Sequence, residues 1–240
     1  MPDFGQDHLS VHPETLDVDW LKHVGHLDAL PDLVEPDRLP PVTAPIVEDM
    51  VEIDHPRITC VEAYRSAGWI GATRGLWLRR EAMRRLSTVA DGLDTGWGLH
   101  VFDAWRPLVL QAELYETAYR DSSLPPGFVS EPREDPSTPP PHLTGGTVDL
   151  TLSFEGVPLS LGTAFDDFSP AARTNYFELN AGPVRALRRR LYWSMRAAGF
   201  IVLDCEWWHF EFGTRRWGHL VNRSPIYGPA ASPHSSSECS

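Results

Sequence analysis

Two short stretches of the sequence combine histidine with carboxylate side chains in a pattern that could bind a metal ion. The later one, residues 206–212, carries Glu206 and His209 within a dense aromatic run. After Glu206 the residues alternate, so a strand would place Trp208 and two phenylalanines on a core face and His209 with Glu211 on the other. Because Glu206 lies three residues before His209, both can serve one site only if Glu206 is on the turn that enters the strand.

A helix would place the same Glu-x-x-His pair on one face, as in bundles that bind two metals through paired motifs of this kind. The aromatic residues at every second position after Glu206 favour the strand.

The earlier stretch, residues 142–152, contains His142 and Asp149, which are seven residues apart. From residue 147 the sequence alternates threonine or aspartate with valine or leucine, which predicts a strand whose polar face carries Asp149. The glycine pair at 145–146 would let the chain turn so that His142 returns over the start of this strand. Together with His209, these residues make two histidines and one carboxylate, the ligand set of a catalytic zinc site that keeps an open position.

The apolar patterns of other segments predict the helices and strands that position these residues. Residues 76–93 have the apolar spacing of an amphipathic helix, residues 99–104 resemble a strand, and Pro107 would begin a helix over 108–119. Arg106 therefore lies at a junction between strand and helix, where its guanidinium can project from a fixed frame.

Three further segments complete the predicted domain. Residues 121–141 form a proline-rich stretch that leads directly to His142, and it is either a loop that overhangs the site or a disordered surface insertion. Residues 180–199 have the pattern of a helix with Asn180 as a candidate cap, followed by a strand over 200–203 that leads to Glu206.

Strands and helices are intermixed without regular alternation, so we predict an α+β fold with an antiparallel central sheet and flanking helices. Residues 1–50 are predicted to be an extended arm with one short helix, residues 51–228 the metal-binding domain, and residues 229–240 a disordered tail.

The amino-acid composition argues against some classes of binding partner. The chain has 240 residues, 42% of them hydrophobic, and a net charge of -12, which argues against binding to nucleic acid or to anionic membranes. No signal sequence or long apolar span is evident, so the expected location is the cytoplasm. The three cysteines have no zinc-binding or redox spacing, and Cys205 is interpreted as a small buried hydrophobic residue.

The sequence also resembles the D-alanyl-D-alanine dipeptidases, zinc peptidases that include the vancomycin-resistance type and are related to the D-Ala-D-Ala carboxypeptidases. The resemblance extends from about residue 64 to residue 222 and includes the segment 161–166. Its motif residues are Arg106, Pro107, His142, Gly145, Asp149, Glu206 and His209.

The resemblance implies a fold shared with the Hedgehog signalling domain, one zinc ion per chain and a small peptide substrate. It implies that His142, Asp149 and His209 bind zinc. Glu206 would be the general base, Arg106 would stabilise the oxyanion of the intermediate, and Asp166 would bind the free amino group of the peptide. The residues alone do not distinguish Asp166 from its neighbour Asp167.

Two positions depart from the family pattern. Pro140 replaces a serine and brings neither a hydroxyl nor a backbone N–H, while Thr147 replaces an alanine on the strand face that carries Asp149. Thr147 and Trp208 are candidate substrate contacts. The identity of the dipeptide stays open, as does the choice between antibiotic resistance, cell-wall recycling and biosynthesis.

Two other functions are compatible with the same ligands. Two histidines and a carboxylate also bind Fe(II) in non-haem oxygenases, although the usual histidine-to-aspartate separation there is two residues and not seven. A metal-binding or sensing module that has lost catalysis is the second alternative, and the presence of Glu206 and Arg106 counts against it.

Overall fold

The structure is a computed structural model that describes residues 6–120, 124 and 128–233. Its strands are β1 Met50–Glu52, β2 Ile58–Cys60, β3 Trp77–Arg79, β4 Trp97–Asp103, β5 Thr147–Phe154, β6 Val157–Pro158, β7 Ile201–Val202 and β8 His209–Glu211. Its α-helices are α1 Trp20–Val24, α2 Ala63–Ser66, α3 Arg80–Gly92, α4 Leu108–Tyr119, α5 Pro183–Ala197 and α6 Arg215–Leu220. Short 3-10 helices lie at Asp7–Leu9, Pro13–Thr15, His142–Thr144 and Pro170–Ala172.

The main sheet has the strand order β2-β4-β5-β8-β7, with β6 paired to the end of β5. The predicted combination of a sheet with flanking helices is confirmed, but the sheet is mixed: β2 runs parallel to β4, and the other pairs are antiparallel. The connection from β2 to β4 contains α2, β3 and α3, which is long enough to return the chain in the same direction. The all-antiparallel expectation therefore fails only at this edge.

Strand β5 is buried on both faces, which is unusual for a strand with alternating polar residues. Every residue from Thr147 to Ser153 is buried. The apolar residues face the main core, and the polar face is covered by other parts of the chain. Thr151, for example, donates a hydrogen bond from Oγ1 to the carbonyl of Leu159 over 2.6 Å. A buried polar face of this kind needs partners, and Asp149 finds them in the site described below.

Two predicted helices begin later than the sequence pattern indicates. Residues 77–79 form β3 and pair with β1, so α3 starts at Arg80. This pairing is a long-range contact to residues 50–52, which helical spacing cannot reveal. Helix α5 begins at Pro183 after Gly182, and Asn180 does not cap it, because a proline at the first position already fixes the start of the helix.

The ends of the chain pack onto the domain. In the N-terminal arm, the Trp20 ring lies edge-on to Trp97 and Phe154, with centroid distances of 6.0 and 5.4 Å. Near the other end, the buried Ala230 donates its N–H to the carbonyl of Leu143 over 2.8 Å. Residues 234–240 of the predicted tail lie outside the described residues. No helix in the described ranges is long and apolar enough to cross a membrane.

A close backbone approach at Gly146 holds the start of β5 against the end of β8. The Phe212 N–H donates to the Gly146 carbonyl over 2.8 Å, and a Cβ added at Gly146 would lie 2.2 Å from the Phe212 carbonyl oxygen.

We expect Gly146→Ala to lower the free energy of unfolding by about 2–3 kcal/mol, because the overlap forces the backbone to shift. The measurement is urea denaturation of the two proteins. The matched control is Gly92→Ala in α3, where a Cβ meets no atom within 4 Å and the expected change is under about 1 kcal/mol. Equal stabilities for the two variants would contradict the prediction.

Candidate metal centre

Three buried ligand atoms converge between β5, β8 and the 3-10 helix that precedes β5. His142 Nε2 lies 3.3 Å from Asp149 Oδ2, His209 Nδ1 lies 3.0 Å from Asp149 Oδ1, and the two ring nitrogens are 3.3 Å apart. All three side chains are at most 4% exposed. One ligand atom from each residue lies within 4.8 Å of the others, so a single cation can contact all three.

Local backbone structure explains why these residues meet. Asp149 and His209 are directly opposite each other in the antiparallel pair of β5 and β8. His142 belongs to the 3-10 helix, which ends at Gly145 in the left-handed region with φ of +73°. The chain therefore turns sharply and brings His142 over the start of β5, as the glycine pair predicts.

Each histidine is held from behind by an oxygen that fixes which ring nitrogen carries the proton. His142 Nδ1 lies 2.7 Å from the Ala104 carbonyl, which can only accept, so Nδ1 is the donor and Nε2 presents a lone pair. His209 Nε2 lies 3.1 Å from Glu211 Oε1. Burial alone would raise the pKa of Glu211, but Arg216 and His209 lower it to about 2, so this carboxylate accepts the hydrogen bond from His209 Nε2.

The inner ring nitrogens of the two histidines and the carboxylate of Asp149 face one another. Asp149 Oδ1 is buried and lies 3.0 Å from His209 Nδ1. Burial alone would lower the pKa of His209, yet contacts with Asp149 and Glu211 raise it to about 10. The environment thus favours a positive charge between these atoms, which either a proton on His209 or a metal cation supplies. Two imidazole nitrogens and a carboxylate are a suitable ligand set for a divalent metal ion with a further position open.

Glu206 lies on the turn before β8, as the spacing of the motif requires. Its Oε2 is 3.6 Å from His209 Nδ1, and the residue is 9% exposed. Burial raises the pKa of Glu206 to about 7, and His209 opposes that rise only in part. The carboxylate is therefore close to the ligand atoms and able to exchange a proton near neutral pH.

Arg106 lies at the junction between β4 and α4 that the sequence predicts. Its Nε donates to Asp103 Oδ2 over 2.9 Å, Nη1 to Gln111 Oε1 over 3.1 Å, and Nη2 to the Tyr64 hydroxyl over 3.1 Å. Nη2 is also 3.6 Å from Asp149 Oδ2. This buried arrangement places a fixed positive charge beside the metal-binding carboxylate.

Asp166 is connected to Arg106 through Tyr64, whose hydroxyl donates to Asp166 Oδ2 over 2.9 Å. Asp166 has φ of +60°, in the left-handed region that residues other than glycine rarely adopt. Burial raises the pKa of Asp166 well above its usual value, and Arg106 opposes that rise. A half-buried carboxylate that lines a cavity and has a left-handed backbone is typical of a binding residue.

The cavity around the ligands contains some of the predicted site residues and leaves others out. His142, Asp149, His209, Glu206, Arg106 and Asp166 all line it. Phe128, Val129 and Ser130 also line it, so the described end of the predicted overhanging loop does reach the site. Residues 121–123 and 125–127 of that loop lie outside the described residues.

Thr147 and Trp208, the two other predicted substrate contacts, do not line this cavity. Thr147 is fully buried opposite Glu211, one alternation beyond Asp149 along β5. Trp208 is 1% exposed and packs edge-on against Phe165 with a centroid distance of 5.8 Å, because it occupies the core face of the segment. Pro140 lines a neighbouring cavity and not the one around the ligands.

Comparison with known proteins decides the family. A family model described as D-ala-D-ala dipeptidase matches residues 80–224 of the chain. This chain belongs to that dipeptidase family. It is similar to the D-alanyl-D-alanine dipeptidase of Synechocystis sp., with 30% identity over 61% of this chain and 73% of that protein. It is also similar to the D-alanyl-D-alanine dipeptidase of Escherichia coli strain K12, with 32% identity over 49% of this chain and 56% of that protein.

Membership in the dipeptidase family makes the protein a metallopeptidase. The matched range contains the three candidate ligands, Glu206, Arg106 and Asp166. Tyr64, which joins Arg106 to Asp166, lies before the matched range.

The sequence patterns do not reveal the residues that hold the ligands and Arg106 in place through hydrogen bonds and ion pairs. They are Tyr64, Asp103, Gln111, Glu211 and Arg216. A signal existed for Glu211, since it shares the strand face of His209 two residues earlier. The others reach the site through α2, β4, α4 and α6, and no spacing in the sequence relates those elements to the ligands.

Replacement of Glu211 tests the orienting role of its carboxylate. We expect Glu211→Gln to weaken zinc affinity by roughly 10- to 100-fold, because the neutral amide holds the protonated Nε2 of His209 less firmly. Competition for zinc with a chromophoric chelator measures this affinity. The control is Glu131→Gln, an exposed carboxylate paired with Arg133, which should leave the affinity unchanged. An unaltered affinity in Glu211→Gln would mean that Glu211 does not orient His209.

Proposed function

We propose that this protein is a zinc-dependent dipeptidase that hydrolyses D-Ala-D-Ala or a related short peptide containing a D-amino acid. The observation that carries the proposal is the convergence of three buried acceptor atoms from His142, Asp149 and His209 within 4.8 Å, inside a chain of the dipeptidase family. The printed activity of the two similar proteins supports the substrate class.

His142, Asp149 and His209 would hold the zinc ion. When bound there, zinc supplies Lewis acidity, which brings the pKa of a water molecule to about 7 and polarises the amide carbonyl. The hydrogen bonds from His142 to the Ala104 carbonyl and from His209 to Glu211 keep both ligand nitrogens directed at the same point.

Glu206 is the proposed general base and then the general acid. Its carboxylate lies beside His209, on the cavity wall, where it can take the proton of the attacking water and pass it to the leaving amine. The buried surroundings exclude competing solvent and keep its proton affinity close to that needed at neutral pH.

Arg106 is proposed to stabilise the negative oxygen of the tetrahedral intermediate. All three of its nitrogens already have partners, so it contributes mainly its positive charge and the remaining Nη1–H. In a buried site one such group contributes about 3 kcal/mol to the transition state. The ion pair with Asp103 prevents the guanidinium from turning away.

Asp166 is proposed to bind the free amino group of the peptide through a charge-assisted hydrogen bond. The Tyr64 hydroxyl donates to Oδ2 of Asp166, which leaves Oδ1 for the substrate. Binding of the amino terminus close to the metal restricts the substrate to peptides whose scissile bond follows the first residue.

The iron-oxygenase alternative has less support, because the family match is to peptidases and Glu206 has a role only in hydrolysis. A catalytically silent relative is disfavoured by the buried Glu206 and Arg106, since both are costly to bury without a function.

Substrate comparison tests the proposed function directly. We expect the purified, zinc-loaded protein to cleave D-Ala-D-Ala and to leave L-Ala-L-Ala and N-acetyl-D-Ala-D-Ala intact, because Asp166 requires a free amine. Release of alanine, followed by chromatography, is the measurement. If the acetylated peptide were cleaved as fast as the free one, the role of Asp166 would be excluded. If none of the three were cleaved with zinc bound, the proposed substrate class would be incorrect.

Removal of the proposed base separates catalysis from metal binding. We expect Glu206→Ala to lower kcat by roughly 100- to 10,000-fold while one zinc ion per chain is retained. The zinc content is measured by atomic emission beside the rate. Glu81→Ala in α3 serves as the control and should keep full activity, because the ion pairs of Glu81 with described residues are those with Arg84 and Arg85. A Glu206→Ala protein with normal kcat would rule out this base.

A further inference from the structure

A second arginine, Arg216, lines the cavity of the metal centre together with Arg106. It belongs to α6, and its side chain is 18% exposed. Arg216 also lines the neighbouring cavity, whose walls include Pro140 and Arg215. It therefore lies where the two cavities adjoin, together with Val129, Ser130 and Pro141.

The guanidinium of Arg216 is held in place by two carboxylates. Its Nε donates to Glu211 Oε1 over 3.1 Å, and Nη1 donates to Glu35 Oε2 over 2.6 Å. Glu211 is itself fixed, because Thr214 donates a hydrogen bond to its other oxygen. A planar guanidinium that is held at two of its three nitrogens presents the third nitrogen in a fixed direction.

The remaining nitrogen, Nη2, makes no hydrogen bond to any residue in the described part of the chain. Arg106 differs in this respect, because each of its three nitrogens has a protein partner. Of the two arginines that line the metal cavity, only Arg216 has a complete NH₂ group free for a ligand.

The other residues that line both cavities carry no positive charge. Pro141 has no N–H, Val129 has no polar side-chain atom, and Ser130 offers only a neutral hydroxyl. Arg215 directs Nε to the carbonyl of Pro40 and Nη2 to that of Leu39, and it does not line the metal cavity. Arg216 is thus the arginine found where the two cavities adjoin.

Arg216, Asp166 and the proposed base Glu206 all line the metal cavity. An anionic carboxylate and a cationic guanidinium therefore share with Glu206 the space in which hydrolysis is proposed to occur.

We propose that Arg216 binds the C-terminal carboxylate of the peptide through a charge-assisted hydrogen bond that its Nη2 donates. This inference rests on the proposed dipeptidase function and adds the second half of substrate recognition: the enzyme selects a zwitterion, with its amine at Asp166 and its carboxylate at Arg216. The adjoining cavity then receives the side chain of the C-terminal residue.

The test compares D-Ala-D-Ala with D-alanyl-D-alaninamide, which lacks the terminal charge. Wild-type zinc enzyme should cleave the free acid with a kcat/KM roughly 10- to 100-fold above that of the amide. In Arg216→Gln the ratio of the two kcat/KM values should fall to about 1, in addition to any loss that both substrates share when the ion pair with Glu211 is broken. Arg216→Lys should restore part of the preference, and Arg215→Gln should retain all of it.

A purely structural role for Arg216 would give a different pattern. Loss of the ion pair with Glu211 would lower both rates by the same factor and leave the ratio of acid to amide unchanged. That result would overturn the proposal, as would a wild-type enzyme that cleaves the acid and the amide equally well, and in both cases the dipeptidase function would stand.

A binding measurement keeps the two proposals separable. Calorimetry on zinc-loaded Glu206→Gln protein, with and without Arg216→Gln, gives dissociation constants for the acid and the amide without turnover. The acid should bind roughly 10- to 100-fold more tightly only when Arg216 is present. If the wild-type enzyme cleaves neither compound but this difference in binding appears, the hydrolytic function fails and the Arg216 site stands. If the difference is absent, the Arg216 site is excluded.

Discussion

The structure depends on one electrostatic constraint: two imidazole nitrogens and a carboxylate face each other in a buried space. The outer nitrogen of each ring is held by Ala104 or Glu211, so the inner nitrogens of His142 and His209 are directed at Asp149. When both rings are neutral, these acceptors are unfavourable neighbours unless a cation lies between them. The antiparallel register of β5 and β8 and the turn at Gly145 enforce the cluster, so the fold itself creates the demand for a metal.

A repeated arrangement of charge surrounds this centre. Behind His142 lies Asp103, 3.4 Å from Nδ1, and Asp103 is paired with Arg106. Behind His209 lies Glu211, which is paired with Arg216. Each of the two histidine ligands therefore has a carboxylate beside it, and each of these carboxylates is paired with an arginine that lines the cavity. The same arginines that stabilise buried acids are in this way available to an anionic substrate or intermediate.

Parts of the chain that are distant in sequence build this wall. Tyr64 from α2 joins Arg106 to Asp166, while Glu35 from the N-terminal arm fixes Arg216. The loop residues Phe128 and Val129 cover the cavity on a third side. Tyr64 and Arg106 are buried and hydrogen-bonded to each other, so this part of the site is preorganised for its substrate.

The sequence by itself determined the ligand set, the base and the position of Arg106, because alternation along a strand and a glycine turn are local features. It also determined the mixture of sheet and helices and the helix over 108–119. Only the tertiary structure decided that β2 is parallel to β4, that β3 replaces the first turn of a predicted helix, and that Trp208 belongs to the core. Only the fold brought Glu211 and Arg216 to the metal centre. The reason is physical: local periodicity fixes which face a side chain occupies, whereas the partner that this face meets depends on pairing between segments that are far apart in the chain.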